Sequence, residues 1–214
     1  MSASPDGFAG ASLTCVRSER LVFRDLDFTL APGQAVLLHG ANGSGKSSLL
    51  RLMAGLLAPA AGTLTWHGAP VREDPGAHRA RLHYVGHLDG IKPVLTAAEV
   101  LASWAALRGQ DGDVRSALDA LGIANLADVP GRFLSAGQRR RVALARLVAA
   151  PAPLWLLDEP TVGLDRDGLA ALAALLERHL GAGGLAAIAT HADVGLKHAE
   201  VLDVAAFAAD REAA

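Results

Sequence analysis

"GANGSGKS", residues 40–47, is the stretch on which the fold turns. It fits the spacing G-x-x-x-x-G-K-[ST] in full. It follows the short apolar run "AVLLHG" (35–40) and precedes "GKSSLLRLMAGLL" (45–57), where leucines recur at helical spacing. A buried strand, a glycine-rich turn and a helix in that order form a phosphate cradle. The glycines let the chain turn tightly, so that successive N–H groups converge on phosphate oxygens. The helix N-terminus adds the positive end of its dipole. Lys46 is expected to reach the β- and γ-phosphates, and the Ser47 hydroxyl to ligate Mg²⁺. Gly40, Ala41, Asn42, Gly43, Ser44, Gly45 and Ser48 complete the nucleotide contacts. Lysine occurs only at 46, 92 and 197, which makes a chance match a poor explanation.

Working outward, "LWLLDEP" (154–160) reads as a second buried strand that ends in two carboxylates. An aspartate at such a strand end holds Mg²⁺ in phosphate-loop enzymes, which assigns Asp158 as a metal ligand. Alternation along a strand turns Glu159 to a different side. There it is placed to polarise a water beside the γ-phosphate.

The remaining pattern is of alternating strands and helices. "SLTCVRS" (12–18) and "LVFRDLDFTL" (21–30) suggest antiparallel strands, with 1–10 a loose tail. "TLTWHG" (63–68), "LAAIATH" (185–191) and "VLDVAAF" (201–207) read as further strands. Helices are expected over 95–109, with Thr96 and Glu99 at capping-box spacing, and over 113–123, 135–150 and 166–180. Residues 95–150 form a mostly helical lobe. The class is α/β, with a parallel core sheet, an antiparallel β subdomain and an α-helical subdomain.

Composition narrows the function. In 214 residues, 51% are hydrophobic and 20% charged, and the formal charge is −2. A packed core follows, and no basic face for nucleic acid is indicated. The only cysteine, Cys15, fits a reducing compartment. No apolar run reaches the ~18–20 residues that span a bilayer. The best, 147–157, is broken by Pro151 and Pro153. The opening residues lack the basic start and apolar middle of a signal peptide. A soluble or membrane-peripheral protein is expected.

"LSAGQRRRVALARL" (134–147) settles the class. Leu134, Ser135, Ala136, Gly137 and Gln138 resemble the LSGGQ signature of ABC ATPases, with one glycine replaced by Ala136. The other motifs fall in the family order: "GANGSGKS", the helical lobe with the signature, "LLDEP", then "VGLD" (162–165) and "ATH" (189–191), similar to the D-loop and the switch histidine. The resemblance covers essentially the whole chain, read as one ATPase domain (1–214) with the helical subdomain inserted.

The resemblance implies two copies paired head to tail around two ATP molecules. Each signature, 134–138, would contact the γ-phosphate held by the other copy. It makes Glu159 the general base, His191 a γ-phosphate contact and Asp165 a link between the halves. Arg139, Arg140, Arg141 and Arg146 read as ordinary polar residues of the signature helix.

Two positions depart from the family pattern. Where an aromatic residue stacks on adenine, counting back from "RDLDF" reaches Arg17 or Arg20, with Phe23 as another candidate. Arg17 is taken as the adenine contact, since a guanidinium plane can stack. Where a glutamine stands nine residues before the Thr-x-x-Glu helix start, this chain has His87. Magnesium prefers oxygen ligands, so His87 is expected to act there through a bound water. A metal module of His78, His83 and His87 is a competing reading, but spacing on a strand and loop does not converge them.

The Gly-His loop with "GIK" after it, "LSAGQ" followed by arginines, "LWLLDEP" and "GTLTWHG" resemble the ATP-binding subunits of cytochrome c maturation systems. That resemblance implies a homodimer on the cytoplasmic face of the inner membrane. It would join a separate membrane subunit and further haem-handling membrane proteins, with ATP driving haem export or release of a haem-loaded chaperone. An ABC importer or exporter for another substrate, or a soluble ABC ATPase acting on nucleic acid or ribosomes, are the alternatives.

Overall fold

The computed structural model describes residues 7–208. Two sheets organise them. The first is antiparallel, built from β1 (Phe8–Arg17), β2 (Arg20–Leu30), β4 (Ala61–Trp66) and β5 (Ala69–Pro70) in the order β2-β1-β4-β5. The second is parallel and holds β3 (Ala35–His39), β6 (Leu82–Val85), β7 (Leu154–Asp158), β8 (Leu185–Ala189) and β9 (Glu200–Asp203) in the order β6-β7-β8-β3-β9.

Strand alternation sorts the core of the parallel sheet into two faces. Val36, Leu38, Leu154, Leu156, Leu185 and Ala187 join the cluster that includes the antiparallel sheet and helix α1 (Lys46–Met53). Trp155, Leu157, Ala186 and Ile188 face the helices on the other side: α3 (Ala97–Leu107), α4 (Val114–Asp119), α5 (Ala136–Ala149) and α6 (Arg166–Gly181). Helix α2 (Pro75–Ala80), for which the sequence analysis names no element, starts at an Asp74 cap with proline in its first turn. Burial on both faces explains why β7 and β8 read as continuous apolar runs.

Several boundaries differ from the sequence reading. The expected tail over 1–10 is in part a strand: Phe8 pairs with both Leu30 and Trp66 and is fully buried. Residues 1–6 lie outside the described residues. The helix expected over 113–123 stops at Asp119, because the chain turns through Gly122 at φ +65°. The last strand ends at Asp203, whose carboxylate caps the one-turn helix Val204–Phe207. Other caps match the sequence signals. Thr96 with Glu99, and Ser135 with Gln138, form reciprocal capping boxes at the starts of α3 and α5.

His83 of β6 is buried and hydrogen-bonded through Nε2 to the Ala150 carbonyl. Burial pushes its pKa down to about 3. His78 and His179 are lowered in the same direction, again chiefly by burial. The unfolded chain therefore takes up protons first as pH falls below about 6.5. Stability is full above that value and declines toward pH 3. Urea unfolding at pH 7.5 and 5.0 should show a loss of roughly 2 kcal/mol from His83 alone. His83→Gln should flatten that slope.

Candidate functional site

Register places the motifs along one edge of the parallel sheet. Asp158 is paired with Ala189, and Ala189 with Leu38. The loop 40–45, Asp158–Glu159 and Thr190–His191 thus leave the carboxyl ends of adjacent strands at the same level. His87 follows β6, which pairs Val85 with Leu157, and so leaves the same edge. Carboxyl ends of strands in open α/β sheets are where ligands bind.

The loop is held from beneath. Lys46, only 7% exposed, donates from Nζ to the Gly40 carbonyl at 2.7 Å and the Ala41 carbonyl at 3.1 Å. Gly45 adopts φ +105°, and a Cβ there would lie 2.8 Å from Val22 Cγ1 and 3.0 Å from Phe23 Cδ1. Both backbone and space require glycine at this position. Ser44 Oγ is buried with no hydrogen-bond partner among the described residues, as suits a loop built to meet an anion. Ser48 lies on the first turn of α1, beside the Cys15 thiol, whose pKa burial raises.

Ser47 Oγ donates to Asp158 Oδ1 at 3.0 Å. That contact joins residues 111 positions apart and unites the two sequence-predicted metal ligands. Both are oxygen donors, and Asp158 is 3% exposed, a set that fits Mg²⁺.

Glu159 is not aimed by strand alternation, as the sequence reading supposed. The strand ends at Asp158, and Glu159 sits at φ +49°, a left-handed backbone unusual for a residue with a side chain. Its N–H is bonded to the Ala189 carbonyl at 2.8 Å, which fixes the turn. The turn delivers its carboxylate to His191, with Oε1 3.6 Å from His191 Nε2. The same Nε2 is 3.1 Å from Asn42 Oδ1. His191 therefore spans the phosphate loop and the acidic strand end.

A second constellation forms at the start of α5. Ser135 Oγ accepts from the Gln138 N–H at 3.2 Å, and Gln138 Oε1 accepts from the Ser135 N–H at 2.8 Å. Leu134 is buried and anchors this turn, while Ser135 and Ala136 are exposed. Gly137 lies against the loop of 162–165: a Cβ on it would be 2.5 Å from the Gly163 carbonyl oxygen. Asp165 caps α6 by accepting from the Gly168 N–H at 2.8 Å, and it pairs with Arg141. The Gly168 hydrogen bond chiefly holds its carboxyl below the usual range, with Arg141 assisting. Ser135, Gly137, Gln138 and Asp165 line one cavity of about 370 Å³. No hydrogen bond joins it to the loop 40–47 among the described residues.

The arginines of α5 are not ordinary surface residues. Arg139 donates to the Leu134 carbonyl at 2.6 Å. Arg140 and Arg146 are 3% and 7% exposed. The signal was available, since Arg140 stands at helical spacing with Ala143, Leu144 and Leu147 on the buried stripe.

Arg17 and Arg20 are exposed at the hairpin between β1 and β2. Phe23 is fully buried, which removes its ring from adenine stacking. His87 is exposed. His78 and His83 bond to different carbonyls, of Met53 and Ala150. No cluster of three or more His, Cys, Asp or Glu suited to a metal occurs among the described residues.

A parallel sheet with a phosphate-cradling loop, an acidic strand end and a bridging histidine at one edge defines a phosphate-loop nucleotide-binding protein. The ABC transporter family matches residues 23–162. The chain is 58% identical over 208 residues to the cytochrome c biogenesis ATP-binding export protein CcmA of Rhodospirillum rubrum, covering 97% of this chain and 89% of that one. It is 50% identical over 214 residues to the protein of the same name from Paramagnetospirillum magneticum, covering 98% and 99%. An ABC transporter ATP-binding protein from Pyrococcus furiosus superposes with a TM-score of 0.83 at 21% identity, over 95% of this chain and all of that one. The chain belongs to the ABC transporter family, as an ATP-binding, ATP-hydrolysing subunit.

Substituting Gly45→Ala should lower stability by about 1–3 kcal/mol, because it combines a left-handed backbone with a clash against Val22. The check is a lower urea midpoint with unchanged m-value, alongside loss of ATP binding by titration calorimetry.

Proposed function

We propose that this chain energises an ABC complex of c-type cytochrome biogenesis. In that complex, ATP hydrolysis drives haem export or the release of a haem-loaded chaperone. The observation that carries the reading is the 58% identity to the Rhodospirillum rubrum export protein. The Ser47–Asp158 contact supports the chemistry at the site.

Residues 40–48 receive the triphosphate, with Lys46 facing the β- and γ-phosphates. Ser47 and Asp158 are the residues that would hold Mg²⁺. Bound there, Mg²⁺ supplies positive charge to the phosphate oxygens. Glu159 takes the proton of the attacking water, and His191, within reach of both Glu159 and Asn42, would face the γ-phosphate. Positioning and charge neutralisation then account for most of the rate. Arg17 offers a plane to adenine from the exposed hairpin.

The signature cavity and the phosphate loop are separate on one chain, so a site needing both takes the second from another copy. A two-fold dimer satisfies this, because each copy gives and receives the same surface. Ser135 and the α5 N-terminus, with Leu134, Ala136, Gly137 and Gln138, meet the partner copy's γ-phosphate. Asp165 lies where the halves join. The chain acts as one ATPase domain, with 95–150 as the helical subdomain. Among the described residues no helix is long and apolar enough to cross a membrane. In keeping with the export proteins it resembles, transport runs through a separate membrane subunit, with this chain at the cytoplasmic face of the inner membrane and other haem-handling proteins nearby. His87 and the loop after it contact that subunit.

Glu159→Gln should keep ATP affinity while lowering kcat by about a hundredfold or more. Gel filtration with MgATP should then show a stable dimer. A variant that hydrolyses at the wild-type rate, or stays monomeric with ATP, would refute the assignment. In cells lacking this chain, the wild type and His87→Gln should restore c-type cytochromes and fractionate with membranes. His87→Ala should restore less, as measured by haem staining.

A further inference from the structure

β6 is an edge strand: one side pairs with β7 and the other has no strand partner among the described residues. Three arginines of the helical lobe close that side. Arg108 at the end of α3 donates to the Leu82 carbonyl, Arg146 of α5 to the Tyr84 carbonyl, and Arg140 of α5 to the Gly86 carbonyl at 2.9 Å. Alternate carbonyls point to the same side of a strand, so the guanidinium groups form a ladder along the edge. Arg108 also reaches the Ala80 carbonyl, and Arg146 lies over the Trp104 ring at 4.6 Å. Those two arginines bind the lobe to the sheet.

Arg140 reaches further than this edge. Its Nη1 donates to the Gly86 carbonyl and to Asp89 Oδ1 at 3.1 Å. Its Nη2 donates to the carbonyls of Asp158 and Glu159, each at 2.8 Å, and its Nε to that of Pro160 at 3.3 Å. All five N–H donors of the guanidinium are thereby used. One arm holds the loop after β6. The other grips the backbone on both sides of the left-handed Glu159 turn. The side chain is 4% exposed, so water does not substitute for these bonds. The loop it holds carries Leu88, 85% exposed, at its tip.

We propose that Arg140 is a positioning residue for ATP hydrolysis, transmitting the position of the loop 86–89 to the aim of the Glu159 carboxylate. A planar, five-donor fork can tie two loops at once, which a point charge such as lysine cannot. The inference rests on Glu159 as the general base.

The test compares variants of the full chain by steady-state ATP hydrolysis, with thermal unfolding as a control. Arg140→Met should leave the KM for ATP within about twofold while lowering kcat about tenfold or more, since positioning acts on the reacting geometry. Arg140→Lys should recover part of the rate. Asp89→Asn, which touches only the Nη1 arm, should lower kcat by about threefold. Adding Asp89→Asn to Arg140→Met should lower it no further, as expected for one shared network.

A folded Arg140→Met chain with wild-type kcat would overturn the inference, as would additive effects in the double variant. If Arg140→Met does not fold, unchanged kcat in both Arg140→Lys and Asp89→Asn overturns it, and lowered kcat at constant KM in both supports it. Glu159→Gln separates the two ideas. If that variant stays active, the general base and this inference fall together. If it is inactive while Arg140→Met is fully active, only the inference falls.

Discussion

A carboxylate at the end of a fully buried strand is the constraint around which the site is organised. β7 is covered on both faces along its whole length, and it ends by leaving Asp158 3% exposed. A buried carboxylate is costly unless it is hydrogen-bonded or paired with positive charge. Here the Ser47 hydroxyl meets one oxygen, which fixes the start of α1 against β7. The phosphate loop lies between β3 and that helix start, so its curvature follows from the same contact. The next residue, Glu159, bends away through a left-handed turn whose N–H is taken by β8. Three neighbouring strands are thus locked in register at the point where charge is handled.

Much of this was legible because local signals were strong. A full phosphate-loop spacing between an apolar strand and a leucine-spaced helix leaves little room for another reading. The capping-box spacing of Thr96 and Glu99, and the serine at 135, marked two helix starts to within two residues. What escaped was set by distant contacts. Phe8 is a strand residue because two other strands take it up, which no local pattern states. The aim of Glu159 depends on a positive φ that alternation does not foresee. The triplet Arg139–Arg140–Arg141 has the composition of a solvated face. Helical geometry turns each member by about 100°, so one of the three enters the apolar stripe.

The burial of Arg140 and Arg146 shows how the lobe and the sheet are joined. Edge strands present unpaired backbone groups that invite further pairing. Here guanidinium groups from α3 and α5 occupy the free carbonyls of β6 and of the residue after it. Burial, with Arg140 and Arg108 nearby, pulls the Arg146 pKa down to about 10, still cationic at neutral pH. The joint is polar and directional, so it fixes angle as well as distance. An apolar contact of similar area would let the lobe slide.

The alanine within "LSAGQ" acquires a meaning from the packing of the helix start. Ala136 is exposed, whereas Gly137 faces a carbonyl of the loop before α6. The two small residues of this motif are therefore unequal. At 136 the methyl group sits on an exposed position. At 137 it would clash with the Gly163 carbonyl oxygen, 2.5 Å away, and force the loop or the helix start to shift. Of the two small positions in this motif, the chain departs from the family spelling at the exposed one.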